Sequence, residues 1–188
     1  MVIEFVVAIL TVVVAFLVFL VLRLAAVIAA QEYLRSPTRL PEGTSLPSFS
    51  GRWLSNGRAV SSSALAGQSA VLLFLSPECD DCRMRVRQLT QLYPAIRNAG
   101  VALWIVSANS RKRMTAFLHG TPLLDHVVLV SASARRALNP RNAAPFYLFA
   151  DHRQTVLASD FIGDENWLSF VGQVQQEDVE TAPVAMAG

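Results

Sequence analysis

Two cysteines, Cys79 and Cys82, are the only ones in the chain, and two aspartates separate them. A thiolate can attack a disulfide in another protein, and a second thiol three residues away can then release that protein from the mixed disulfide. The spacing therefore predicts a redox-active Cys-x-x-Cys pair, in which Cys79 attacks and Cys82 resolves.

Two other uses of such a pair remain open at this point. A structural disulfide closing so short a ring would remove little chain entropy from the unfolded state. A metal site would need further ligands, for which only His119, His126 and His152 are available as imidazoles. A zinc knuckle requires a second cysteine pair, which the sequence lacks.

The elements around the pair favour redox chemistry. Residues 70–75 are continuously apolar, as in a strand covered on both faces. Residues 80–98 carry apolar side chains at helical spacing, and Asn98-Ala99-Gly100 ends that pattern. The pair thus lies where a buried strand meets a helix N-terminus, whose free N–H groups and dipole stabilise a thiolate.

The same reasoning along the chain predicts alternating strands and helices. Asn56-Gly57 is a strong hairpin signal, and 61–67 is a short connector. The predicted strands are 48–54, 58–61, 70–75, 101–106, 126–130, 146–150 and 155–159. The predicted helices are 80–98, 110–119, 131–138 and 165–176. This order predicts an α/β three-layer sandwich with a mixed sheet.

The excess of apolar residues, 53% overall, is concentrated at the N-terminus. Residues 5–22 are all apolar except Thr11, long enough to span a bilayer as a helix. A cleaved signal peptide is the alternative, although no basic region precedes the apolar run and the run is longer than usual. We predict a transmembrane anchor at 2–30, a linker at 31–45, a folded domain at 46–176 and a disordered tail at 177–188.

The charges bear on partners and on orientation. The net charge is +2, and the arginine-rich stretches 83–87 and 111–113 have no interleaved aromatic residues, so we expect no nucleic-acid partner. Arg23, Arg35 and Arg39 follow the apolar segment, which by the positive-inside rule favours a cytoplasmic domain. The confinement of both cysteines to one motif instead suits an oxidising compartment.

The segment VLLFLSPECDDCRMRVRQL resembles the active-site region of thioredoxin-like proteins of the TlpA and redoxin type. Within that group the chain is most similar to the MauD-type accessory proteins of methylamine utilisation. The shared features are an N-terminal span, a short linker, a Leu-Pro-x-Phe segment and a Ser-Pro-x-Cys-x-x-Cys motif, here residues 76–82. Residues 144–147 match the family's cis-proline segment, and 161–168 match the approach to its last helix.

The resemblance implies a membrane-anchored thiol–disulfide oxidoreductase whose domain faces the bacterial periplasm. It implies a cis Pro145 that holds Ala144 extended beside Cys79, where Ala144 and Glu78 would meet the substrate. From the sequence alone, Pro145 could equally be a trans turn residue. The implied partners are a client protein with cysteines, such as the small subunit of methylamine dehydrogenase, and a membrane redox partner that recharges the pair. We expect no cofactor other than the redox-active disulfide.

Three positions depart from the thioredoxin pattern. Glu78 stands where thioredoxins have tryptophan, and Asp80-Asp81 replaces the usual pair between the cysteines. These three carboxylates would oppose a thiolate at Cys79, although acidic residues also complement a helix N-terminus. Leu73 stands six residues before Cys79, where thioredoxins carry a buried carboxylate that assists proton transfer. The absence of that carboxylate predicts slower or differently assisted thiol–disulfide exchange.

Two other functions remain open. A redoxin-type peroxidase would need a Ser or Thr shortly before its reactive cysteine, and Ser76 lies three residues before Cys79. It would also need an arginine from elsewhere in the fold. A non-catalytic scaffold or metallochaperone could use the same fold, but copper carriers of this kind use a Cys-x-x-x-Cys spacing.

Overall fold

The computed structural model describes residues 4, 7, 9–10, 13–24 and 39–181, and the side chains up to 178. The chain divides into two units, 1–37 and 38–188. In the first unit, the described residues are helical and exposed. Within the part of the chain that the structure describes, no helix is both long and apolar enough to cross a membrane. The predicted anchor at 2–30 lies partly outside the described residues.

The second unit is built on a seven-stranded sheet with the order β2-β1-β5-β4-β3-β6-β7. The strands are β1 (Ser50–Trp53), β2 (Ala59–Ser61), β3 (Ala70–Phe74), β4 (Ala102–Ser107), β5 (Val127–Val130), β6 (Phe146–Ala150) and β7 (Val156–Phe161). The three strands β3, β4 and β5 run parallel, and the other neighbours pair antiparallel. The predicted mixed sheet is confirmed.

Four α-helices accompany the sheet: α1 (Asp80–Asn98), α2 (Arg111–Phe117), α3 (Ala132–Leu138) and α4 (Glu165–Thr181). Two 3-10 turns, Ser62–Leu65 and Pro122–His126, complete the order. The predicted bounds of α1 and β6 agree with the structure, and most other ends differ by one or two residues. Serines cap α2 and α3, since the side chains of Ser110 and Ser131 accept hydrogen bonds from the first turns.

Strand β3 separates two apolar clusters because its side chains alternate between faces. Val71 and Leu73 pack with α1 and α4 on one face, and Leu72 and Phe74 pack with α3 on the other. All five residues of β3 are buried. The strand is therefore a rigid base for the loop that follows it, residues 75–79.

Two predicted boundaries differ from the structure. Residues 39–46, mostly assigned to the linker, lie along the edge strand β7: the Gly43 N–H donates to the Val156 carbonyl at 2.8 Å, and Ser45 pairs with Thr155. They cover backbone groups that an edge strand otherwise exposes. At the other end, helix α4 continues to Thr181, and Asn98 donates a hydrogen bond of 2.6 Å to Asp178. Helix α4 therefore overlaps the predicted disordered tail at 177–181.

Gly51 marks a close approach between β1 and β5. A Cβ at this position would lie 2.6 Å from the Leu129 carbonyl oxygen and 2.7 Å from a Val128 methyl carbon. The backbone oxygen cannot rotate away, so Gly51→Ala must push the strands apart. We expect a loss of about 1–3 kcal/mol in the free energy of unfolding, measured by urea denaturation.

Gly172→Ala is the matched control, because a Cβ there meets no atom within 4 Å and the residue lies in helix α4. It should leave stability unchanged or raise it by up to about 1 kcal/mol. Equal destabilisation by both substitutions would show that the close approach at Gly51 is not the cause.

Candidate active site

Cys79 is the N-cap residue of helix α1, immediately after the loop that leaves β3. Its backbone is extended, with φ −99° and ψ 115°, and its sulfur accepts a hydrogen bond of 3.1 Å from the Cys82 N–H. The sulfur therefore faces the positive end of the helix dipole. This placement stabilises negative charge on Cys79, as the sequence predicts.

Cys79 and Cys82 form a disulfide, with their Cα atoms 5.2 Å apart. The two sulfurs differ in access to solvent. Cys79 is half-buried, whereas Cys82 is completely buried in the cluster beneath α1. Only Cys79 can be reached by a sulfur of another protein, which agrees with its predicted role as the attacking cysteine.

The Ala144–Pro145 peptide bond is cis, as predicted from the resemblance. Strand pairing explains why this segment lies near the disulfide: Phe146 is opposite Phe74, so the residues before β6 meet the loop after β3. The Ala144 carbonyl oxygen lies 3.6 Å from the Cys79 sulfur. The Pro145 carbonyl accepts a hydrogen bond of 3.2 Å from the Ile162 N–H, which fixes this segment to the end of β7.

Glu78 is held by two side chains. The Ser76 hydroxyl donates to its Oε2 at 2.5 Å, and the Arg113 guanidinium forms an ion pair with its Oε1. Arg113 belongs to α2, which follows β4. Since β3 and β4 are parallel neighbours, their carboxyl ends lie at one edge of the sheet. The sequence analysis did not connect Arg113 with Glu78, although the adjacent strand ends could have indicated this contact.

Asp80 is also paired. Its Oδ1 lies 3.0 Å from an Arg83 nitrogen, and another Arg83 nitrogen donates to the Pro77 carbonyl at 3.0 Å. Two of the three carboxylates that the sequence places around Cys79 therefore have a cationic partner. We expect their repulsion of a Cys79 thiolate to be smaller than the sequence alone suggests.

Tyr147 is the polar residue that sequence reasoning missed beneath the site. It lies opposite Leu73 and is fully buried in the same cluster as Cys82. Its hydroxyl donates to both carboxylate oxygens of Asp164, at 2.9 and 3.0 Å. Burial is the largest cause that raises the pKa of Tyr147, and the hydrogen bond to Asp164 adds to it. Asp164 also accepts from the Trp167 N–H, so the pair ties β6 to the start of α4.

The strand order, the disulfide at a helix N-terminus and the adjacent cis proline together define a thioredoxin-like thiol–disulfide oxidoreductase. Residues 43–166 match the family model described as AhpC/TSA, which covers well over half of the chain. The chain belongs to the AhpC/TSA family. No curated protein sequence matches it.

Solved structures share the fold at low sequence identity. The thioredoxin domain of a thiol-disulfide oxidoreductase from Bacteroides vulgatus is 19% identical, with TM-score 0.61 over 72% of this chain and 99% of that chain. A thiol:disulfide interchange protein from Chlorobium tepidum is 19% identical, with TM-score 0.58 over 73% of this chain and 98% of that one. The reduced 2-Cys peroxiredoxin of Plasmodium vivax is 16% identical, with TM-score 0.54 over 73% and 98%.

Proposed function

We propose that this protein is a membrane-anchored oxidoreductase whose Cys79–Cys82 pair exchanges disulfides with a client protein in the bacterial periplasm. The observation that carries the proposal is the disulfide at the N-terminus of α1, with Cys79 half-buried and Cys82 fully buried. This asymmetry separates an attacking sulfur from a resolving sulfur.

In the reducing direction, the Cys79 thiolate attacks one sulfur of the client disulfide. A mixed disulfide forms, and the other client sulfur leaves as a thiolate that takes up a proton. Cys82 then loses its proton and attacks the Cys79 sulfur, restoring the intramolecular disulfide and releasing the second client thiolate. Two electrons pass to the client, and a membrane dithiol carrier must supply two more to reduce the Cys79–Cys82 disulfide again. In the oxidising direction every step runs in reverse.

The backbone beside the disulfide supports binding of an extended client segment. Ala144 lies against Cys79, and the hydrogen bond from Ile162 fixes the Pro145 carbonyl. A client strand that aligned with this segment would place its sulfur near Cys79. Pro145 thus acts on position, and the two cysteines carry the covalent chemistry.

The anchor and the client are proposed from the sequence layout. The apolar run at 5–22 supports a single membrane span that delivers the domain to the periplasm. The order of span, linker and Ser-Pro-x-Cys-x-x-Cys motif resembles the MauD-type proteins. On that resemblance, the client is a disulfide-rich protein such as the small subunit of methylamine dehydrogenase.

The contact of Ser76 disfavours the peroxidase alternative. The Ser76 hydroxyl donates its proton to the Glu78 carboxylate. A peroxidase needs such a hydroxyl to activate peroxide at the reactive sulfur. The chain therefore shares its fold with a peroxiredoxin, but the contact of Ser76 differs from the one that a peroxidase needs.

A redox titration in spheroplasts tests the function and the orientation together. Cells carrying the full chain are equilibrated with external glutathione buffers and treated with a membrane-impermeant maleimide that adds mass to each free thiol. We expect a two-electron transition with zero or two labels. A midpoint near −120 mV would mark a disulfide donor, and one near −270 mV a reductant.

A detergent-solubilised sample separates the two parts of the proposal. If the Cys pair responds to the glutathione buffers only after solubilisation, the domain faces the cytoplasm and the redox function stands. The absence of a reversible transition even in detergent would exclude the oxidoreductase function.

A further inference from the structure

A basic notch lies next to the disulfide, on the side of Pro77. It is lined by Pro77, Arg83, Arg113, Ala116 and Phe117 and has a volume of about 420 Å³. Pro77, which forms part of its wall, lies two residues before Cys79.

The lining of the notch combines two guanidinium groups with three apolar residues. The carboxylates that pair with these guanidinium groups, Glu78 and Asp80, lie outside the lining. A carboxylate on a short apolar stem matches this lining, because its oxygens can meet the arginines while its methylene groups contact Phe117 and Ala116. A lysine side chain would meet two like charges there.

The arginines can exchange partners at little cost. The side chains of Arg113 and Glu78 are 56% and 48% exposed, and those of Arg83 and Asp80 are 63% and 91% exposed. Ion pairs this exposed contribute little to stability. Each guanidinium has five N–H donors, so it can bind a second carboxylate without first losing its own.

We propose that the basic notch selects clients that carry an aspartate or glutamate beside their target disulfide. This inference rests on the proposed function and adds the chemistry of the partner. Arg113 pairs with Glu78, the residue next to Cys79, so a carboxylate a few residues from the client cysteine falls within reach of Arg113. The notch thus contributes selectivity, and the Cys pair contributes the exchange.

Three disulfide peptides test the proposal with the full chain in non-ionic detergent. They are identical except that the residues flanking the cysteine are Glu, Gln or Lys. The rate constant for their reduction by the reduced protein is measured by rapid quench. At low ionic strength we expect the Glu peptide to react at least about tenfold faster than the Lys peptide, and the ratio to approach one at ~0.5 M salt.

A pair of variants locates the effect. Glu78→Gln frees Arg113 from its internal carboxylate and should raise the Glu-to-Lys ratio. The double variant Glu78→Gln with Arg113→Gln keeps the net charge of the wild type. It should lower the Glu-to-Lys ratio at least threefold relative to the wild type. Arg87→Gln is the control, because Arg87 is exposed on helix α1 outside the notch lining and should change the ratio less than twofold.

The outcomes distinguish the notch from the redox function. Equal rates for the three peptides, or an unchanged ratio in the double variant, would overturn the proposal, as would an equal loss with Arg87→Gln. Binding of serine analogues of the peptides to the oxidised protein, read by fluorescence anisotropy, gives a second measure. If binding still favours the Glu peptide but no peptide is reduced, the notch stands and the oxidoreductase function fails.

Discussion

Cys79→Ser should reduce the rate of client disulfide reduction by at least about a thousandfold, to the background of the assay, because the attacking sulfur is gone. A serine hydroxyl is not ionised near neutral pH at this position and does not attack disulfides. The buried Cys82 cannot replace it, since no part of its side chain is exposed. The measurement is the reduction of a dye-quenched disulfide peptide by the full chain, with dithiothreitol as the final reductant.

The control for this variant is its stability. Cys79 and Cys82 are three residues apart, so their disulfide closes a short ring. In the chain-entropy model, losing it lowers the free energy of unfolding by about 2 kcal/mol. Urea denaturation should show a folded protein with a loss of that size. If the folded variant retained measurable turnover, Cys79 would not be the attacking residue.

Cys82→Ser should form a stable mixed disulfide with the client in a single equivalent and then stop. Cys79 remains able to attack, but the sulfur that would release the client is missing. We expect steady-state turnover to fall by at least about a hundredfold, while the first attack persists as a burst of one leaving thiol per protein. The adduct is measured by intact mass on a non-reduced sample.

Reduction with dithiothreitol should release the client and restore the mass of the variant, which identifies the bond as a disulfide. The comparison with Cys79→Ser fixes the roles, because that variant should form no adduct. Trapping by Cys79→Ser in place of Cys82→Ser would reverse the assignment of attacking and resolving cysteines.

The local elements were predictable because their signals lie in short stretches of sequence. The apolar spacing along 80–98 and the following Asn98-Ala99-Gly100 predicted α1 with its observed bounds. The continuous apolar run at 70–75 predicted a strand covered on both faces, and β3 is fully buried. The last helix was predicted too short because 177–181 contains a single apolar residue, Val179, and its apolar pattern ends before the helical backbone does.

The contacts across the site were not predictable from local patterns. Glu78 and Arg113 are far apart in sequence, and they meet because parallel pairing brings the ends of β3 and β4 to one edge. Tyr147 and Asp164 meet because β6 pairs with β3 and the chain returns through β7 to the start of α4. Neither pair leaves a periodic signal in the sequence.

By itself, the sequence determined the redox pair and its place at a helix N-terminus, because spacing and capping are local properties of a few residues. The tertiary structure decided which sulfur is accessible, since burial of Cys82 depends on packing against β3 and its neighbours. It also decided that Ala144 lies 3.6 Å from Cys79, and that Arg113 faces Glu78. These relations depend on strand order and register, which join residues that no local pattern connects.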